Sequence, residues 1–359
     1  MEYITNAPIQ AGNIKKESTD KLLPIAVALT INQIIERTSE VGISWNLVRA
    51  NSDNPEIELA LAENELRNFN LESNQVPKIS RYLDTDQGFS AWTQKQLLKS
   101  LELGAITISN EKVIECGACE SPTALHGVKF LPSICSYCKS EGDFRTSIRR
   151  VITGLLPKSD EQLAECVDIT KVPPNWKGQI AMLPDRILIS KKRKAGISLD
   201  KFDLDNLQLD PKVSNAALIM YGGTIKKADK SWGVVGIKNL GKIAPFSYIF
   251  RGAESRPGYV TISKMPLNEL VHSDSDEIRL PRPALTTLLT CLSLDCQTWA
   301  DNQSRLNEIK KYARRIFALI SNSSLLRHLG NSIKAKTALE LTKILPALVK
   351  EKKLFGKYL

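Results

Sequence analysis

No run of about eighteen consecutive apolar residues occurs in the 359 residues, so a membrane-spanning helix is not expected. The N-terminus from Met1 to Lys21 is polar and charged where a secretory leader would carry an apolar stretch, so secretion is not expected either. Histidine is scarce: His126, His272 and His328 are the whole supply, and His272 and His328 have no nucleophile or carboxylate at an interpretable spacing. That excludes a legible Ser-His-Asp or Cys-His hydrolase. Internal repeats and low-complexity tracts are also missing. Seven cysteines, with Cys166, Cys291 and Cys296 matching no pairing rule, suit a reducing compartment, and the chain reads as cytoplasmic.

What is present begins with Cys116-Gly-Ala-Cys119 and Cys135-Ser-Tyr-Cys138, separated by fifteen residues. Two thiolate pairs at that spacing close a tetrahedral zinc site, and four sulfur ligands leave no coordination position for water or substrate. The expected role of this zinc is structural. His126 lies between the pairs and is a spare ligand at most, since four cysteines already satisfy the metal. A net charge of +10 favours a polyanionic partner such as tRNA.

Tyr3-Ile4-Thr5-Asn6 reads as a short strand ended by Ala7-Pro8, followed by a polar loop from Gln10 to Asp20. Leu22 to Glu40 has helical apolar spacing with Asp20 placed as its cap, and Trp45 to Val48 reads as a second buried strand. Strand, helix, strand is a βαβ opening. Asn54 to Asn68 and Gly88 to Leu103 are expected helices, the second ending at Gly104. Phe144 to Leu155 and Ser159 to Cys166 also read as helices, and Pro173-Pro174 breaks the chain. Ala216 to Tyr221 is an expected strand closed by Gly222-Gly223, with further strands at Phe246 to Phe250 and Tyr259 to Ile262. From about Arg282 onward the pattern is helical.

The order of these segments resembles the catalytic core of class I aminoacyl-tRNA synthetases, most like the methionyl type, over roughly Tyr3 to Ser321. Tyr3 to Pro8 is similar to the family's first strand, which delivers the ATP-binding loop, and the cysteines fall where the family inserts zinc knuckles. Tyr221-Gly222-Gly223-Thr224 resembles a glycine turn after a later strand. Gly258 to Met265 falls where the family carries its Lys-Met-Ser-Lys-Ser loop, with Ser263 and Lys264 keeping one pair and Asn268 matching the asparagine beyond it. Leu22-Leu23-Pro24-Ile25 stands where the His-x-Gly-His motif belongs, so both imidazoles that would stabilise adenylate formation are replaced.

The resemblance implies an α/β fold, a doubly wound parallel Rossmann-like sheet with a zinc-knuckle insertion and a C-terminal helical part. Its expected divisions are a first half of the catalytic domain over 1–88, the insertion over 89–175, a second half over 176–281 and a truncated helical domain over 282–359. It implies Ser263 and Lys264 as catalytic residues and Thr5, Asn6, Lys21, Gly222, Gly223 and Asp53 as ligand-binding residues. Topology would bring Asp53 to the carboxyl edge of the sheet, and the leading alternative is a turn carboxylate in Asn51-Ser52-Asp53-Asn54. Lys15, Lys16 and Lys21 are the residues able to replace lost phosphate contacts. The ligands implied are an amino acid, ATP or an aminoacyl adenylate, and tRNA or aminoacyl-tRNA. Two functions follow: ligation or transfer of an activated amino acid, in the manner of cyclodipeptide synthases if ATP is not used, or a non-catalytic pseudo-synthetase that holds tRNA or a protein partner.

Overall fold

The computed structural model describes residues 2–14, 19–35, 40–47, 54–68, 78–124, 133–135, 137–193, 195–263, 293–294 and 337–350. The chain opens with β1 (Glu2–Asn6) and β2 (Ile9–Gln10), one strand path broken at Ala7-Pro8 because proline has no N–H for a ladder. A 3-10 turn over Thr19–Leu22 leads into α1 (Leu23–Ile35), so Asp20 lies inside that turn rather than capping the helix. There follow β3 (Glu40–Asn46), α2 (Pro55–Asn68), β4 (Lys78–Leu83) and α3 (Gln87–Glu102). Gly104, at φ +66°, takes the left-handed backbone that ends α3.

The next segment is β5 (Ile106–Cys116), β6 (Pro122–Ala124) and β7 (Phe144–Leu155), then α4 (Asp160–Cys166), β8 (Asp168–Ile169), α5 (Trp176–Ala181) and β9 (Arg186–Leu188). The short strands β10 (Ser190–Lys191) and β11 (Gln208–Leu209) precede α6 (Pro211–Ile225), β12 (Lys230–Gly236) and β13 (Arg256–Ile262). A helix over Ala338–Lys350 is the described part of the C-terminal segment.

β1, β12, β13 and β8 form one parallel run, and β2, β3 and β4 form another. Because β1 continues into β2, the two runs make a single layer in the order β4-β3-β1/β2-β12-β13-β8. Sequence-adjacent strands therefore spread to one side of β1 and later strands to the other, which is the reversal that defines a doubly wound sheet. Between β1 and β3 side chains stand in for ladder bonds. Thr5 Oγ1 donates to the Gly42 carbonyl at 3.0 Å, Asn6 Nδ2 donates to the Ser44 carbonyl at 2.8 Å, and Ser44 N–H donates to Asn6 Oδ1 at 3.1 Å.

Side chains alternate across the layer. Tyr3, Ser231 and Gly233 face α6, while α1 packs on β1 and β12 with Ile4, Trp232 and Val234 on the alternate face. Ile4, Trp232, Trp45 and Ile31 are fully buried. At about 1.5–3 kcal/mol for each large apolar side chain, these contribute much of what holds the layer together. On the α6 side, Tyr82, Phe89 and Trp92 surround the Tyr221 ring at centroid distances of 6.2, 5.4 and 5.7 Å.

Three sequence expectations are corrected. Phe144–Leu155 is a strand, not a helix: it pairs antiparallel with β5 from Cys116↔Phe144 to Ile106↔Gly154. Ala216–Tyr221 and the two glycines after it lie inside α6, whose N-terminus is set by Pro211 and by Asp210 accepting the Lys212 N–H at 2.9 Å. Phe246–Phe250 belongs to a 3-10 segment, Ala244–Phe250, because Pro245 cannot join a ladder. β8 pairs with β13 in the parallel sheet, while β9 joins the antiparallel sheet β6-β5-β7-β9. No helix among the described residues is long and apolar enough to cross a membrane.

Candidate functional site

The antiparallel hairpin delivers the cysteines. Cys116 is the last residue of β5, Cys119 lies in the turn after it, and Cys135 and Cys138 form a second turn of the same build. In each turn the first cysteine's carbonyl accepts from the residue four positions on, Glu120 N–H at 2.7 Å and Lys139 N–H at 3.1 Å. Those two residues take left-handed backbone, at φ 56° and 64°. The four sulfurs lie within 4.8 Å of one another, with Cys116 to Cys138 and Cys119 to Cys135 both at 3.7 Å. A tetrahedron of Zn–S bonds of ~2.3 Å places its sulfurs ~3.8 Å apart, so the donor set has the size and softness for such an ion. Four cysteines this close can hold a metal ion.

The surroundings favour thiolate at part of the cluster. The Ser140 hydroxyl, 3.3 Å from Cys116 Sγ, draws the Cys116 thiol down to about 6 against the effect of burial, with the Cys119 and Ala118 N–H groups assisting. Ser140 also lowers Cys138, while burial pushes Cys119 up to about 12. Beside the cluster, Arg149 donates to the buried Glu115 carboxylate at 2.6 Å and to the Glu120 carbonyl at 3.0 Å, tying β5, β7 and the first turn together. Burial alone would raise Glu115; the Arg149 hydrogen bond and the Arg149 and Arg145 guanidinium charges outweigh it, and its carboxyl sits below the usual range.

In a doubly wound sheet the other site of interest is the carboxyl edge where strand order reverses, here between β1/β2 and β12. β1 and β13 flank β12 in register, Thr5↔Gly233 and Gly233↔Tyr259, so the segments Tyr3–Pro8 and Gly258–Ser263 end on the same edge. Ser263 is 5% exposed, and both its N–H, at 2.9 Å, and its Oγ, at 3.2 Å, donate to the Ser293 carbonyl. Thr5 and Asn6 are fully buried, with their polar atoms committed to β3. Lys21 is exposed at the end of the 3-10 turn. Leu22 and Ile25 are each 1% exposed, inside the core.

Gly222 and Gly223 do not belong to this edge. A Cβ on Gly222 would meet the Tyr3 ring at 2.8 Å, and one on Gly223 would collide with the Ser231 hydroxyl. Tyr3 and Ser231 lie at the start of β1 and β12, so the glycines serve close helix packing at the amino end of the sheet, opposite the carboxyl edge. Lys264, Asp53, Lys15, Lys16, Asn268 and the three histidines lie outside the described residues.

No protein-family model matches the sequence, and no curated protein matches it. Among solved structures the chain is similar to Mycobacterium tuberculosis methionyl-tRNA synthetase in complex with methionyl-adenylate, at 10% identity and TM-score 0.48 over 72% of this chain and 56% of that one. It is also similar to that organism's methionyl-tRNA synthetase bound by methionyl-adenylate, at 10% identity and TM-score 0.49 over 99% and 83% of the two chains. For the apo form the values are 12% identity and TM-score 0.47 over 99% and 84%. The chain thus spans just over half of the first of these structures. Its α/β class is given by the ladders and strand order described above.

Three residues at the carboxyl edge had no sequence signal. Asn46, at the end of β3, donates to Asn215 Oδ1 near the start of α6, and Asp84, just after β4, accepts the Leu47 N–H at 2.8 Å. All three are buried polar side chains: Asn46 and Asn215 join a strand end to a helix start, and Asp84 joins the ends of β4 and β3. Only the fold reveals them, because Asn46 and Asn215 lie 169 positions apart.

Proposed function

We propose that the chain is a class I aminoacyl-tRNA synthetase-like protein that binds an activated amino acid at the carboxyl edge of its parallel sheet and ligates or transfers it. The observation that carries this reading is the convergence of Tyr3–Pro8 and Gly258–Ser263, distant in sequence, on the one edge where strand order reverses. Lys264 follows Ser263 directly and would supply an ammonium to acyl or phosphoryl oxygens. Ser263, held against the Ser293 carbonyl, would fix where that lysine starts. Zinc in the Cys116, Cys119, Cys135, Cys138 set would hold the two turns together and leave no position for substrate. The net charge of +10 suits tRNA or aminoacyl-tRNA as the carrier of the amino acid.

A second reading, a non-catalytic pseudo-synthetase that binds tRNA or a protein, is favoured by the burial of Leu22 and Ile25. Gel shifts with bulk tRNA and with aminoacyl-tRNA, followed by mass spectrometry of the acyl products, separate the two. Binding with a new acylated product supports ligation or transfer; binding without product supports the pseudo-synthetase. Absence of both removes the synthetase-like reading.

A further inference from the structure

Glu58 lies in the first turn of α2, and its carboxyl group rests on Gly12. A Cβ built on Gly12 would meet the Glu58 carboxyl carbon at 2.6 Å and Oε1 at 2.8 Å, so the turn Ala11–Asn13 accepts this contact only with glycine at its centre. Glu58 is half-buried, and its Oε2 is enclosed with no hydrogen-bond partner among the described residues. That is an expensive position for a carboxyl oxygen unless something nearby favours negative charge. The N-terminus of α2 does so, through its dipole.

The location gives the contact its meaning. The Ala11–Asn13 turn follows β2, and α2 follows β3, so both lie at the carboxyl edge beside the reversal in strand order. A turn and a helix N-terminus at such a corner are the usual cradle for a nucleotide's phosphates. Here a carboxyl group of the chain itself occupies the corner. A triphosphate entering would have to displace it and then remain beside it, like charge against like.

We infer that Glu58 is a specificity residue that keeps free nucleoside triphosphate out of the Gly12 turn, so that the acyl group handled at this edge arrives already activated. This inference rests on the proposed function above for its substrate, but the exclusion itself is a property of Glu58 and Gly12. The burial of Leu22 and Ile25 agrees with it, since neither side chain offers a donor to a phosphate oxygen.

The test is calorimetric titration of the full chain with MgATP and, separately, with AMP. The wild type is expected to show no MgATP binding at millimolar concentration. Glu58→Gln, which keeps the size and removes the charge, and Glu58→Ala, which empties the corner, are each expected to bind MgATP at least tenfold more tightly than the wild type, with a smaller gain for AMP. Neither variant gives up a hydrogen bond of Oε2 among the described residues, and thermal melts matching the wild type establish that they fold. Tight MgATP binding by the wild type, or no gain in either variant, overturns the inference. A gain in the variants together with no handling of aminoacyl-tRNA by the wild type upholds the role of Glu58 while removing the reading of the substrate.

Discussion

Asn6 and Ser44 are joined twice: the Asn6 side-chain amide donates to the Ser44 carbonyl at 2.8 Å and its oxygen accepts the Ser44 N–H at 3.1 Å. A side chain thereby closes the gap between β1 and β3 where no backbone ladder runs. Asn6→Ala leaves both Ser44 groups buried without this partner. The expected cost is about 2–6 kcal/mol, at about 1–3 kcal/mol for each of the two buried groups left unsatisfied. Urea unfolding of the variant measures it, and a loss below about 1 kcal/mol would mean that water takes over these bonds.

Gly223 is predicted to matter for stability and not for ligand binding. Its α-carbon faces the Ser231 and Ser255 hydroxyls, which bond each other at 2.7 Å, so Gly223→Ala forces α6 off β12. Overpacking of this kind costs about 1–3 kcal/mol. Thermal melts should show the loss, while the folded variant should bind tRNA as the wild type does.

The cysteine cluster should carry about one zinc per chain, measurable by metal analysis after purification. Replacement by Co²⁺ should give intense thiolate-to-metal absorption, and Cys116→Ser or Cys135→Ser should abolish it. Arg149→Ala, which removes the bonds from Arg149 to Glu115 and to the Glu120 carbonyl, and Ser140→Ala are each expected to weaken metal retention against a chelator by about 10- to 100-fold. Unchanged retention would place the stability of the site wholly in the four sulfurs.

Cys166 gives a pH prediction. Burial pushes its thiol from 9.0 up to about 11, and the thiol donates to the Leu163 carbonyl at 3.4 Å. Below about pH 9 the thiol is protonated in both folded and unfolded chains. Between about 9 and about 11 the unfolded chain has released its proton and the folded chain has not, so this group's contribution to stability falls as pH rises through that window. Site-resolved alkylation of Cys166 should be slow at pH 8 and should rise about tenfold per unit toward pH 11.

The cysteine spacing was legible because a tetrahedral ion demands it regardless of the fold around it. β1, α1, α2, α3 and β13 were legible because their apolar period, or in α3 the terminating Gly104, is local. β7 was not. Phe144, Ile148, Val151, Ile152 and Leu155 fall at helical spacing, yet Ile148 is 78% exposed on the outer part of a hairpin whose partner, β5, the sequence reading did not identify as a strand. α6 was misread for the converse reason: it is buried nearly all round, so its apolar run carries no period to separate helix from strand. As a strand this segment would carry Gly222 and Gly223 to a turn at the carboxyl edge; as a helix it holds them at the amino end of the sheet. Asn46, Asp84 and Asn215 were silent because single polar residues reveal a shared site only when folding brings them together.

Transfer of an activated amino acid with the help of Lys264, as proposed above, is read out by the half-life of the ester in a pool of aminoacyl-tRNA, followed by mass spectrometry. With the wild type the ester should disappear faster than in buffer and a new acylated product should form, and Lys264→Ala should lose that acceleration with its melting temperature unchanged. An ester half-life identical with and without the protein, together with no shift of charged or uncharged tRNA, would contradict it.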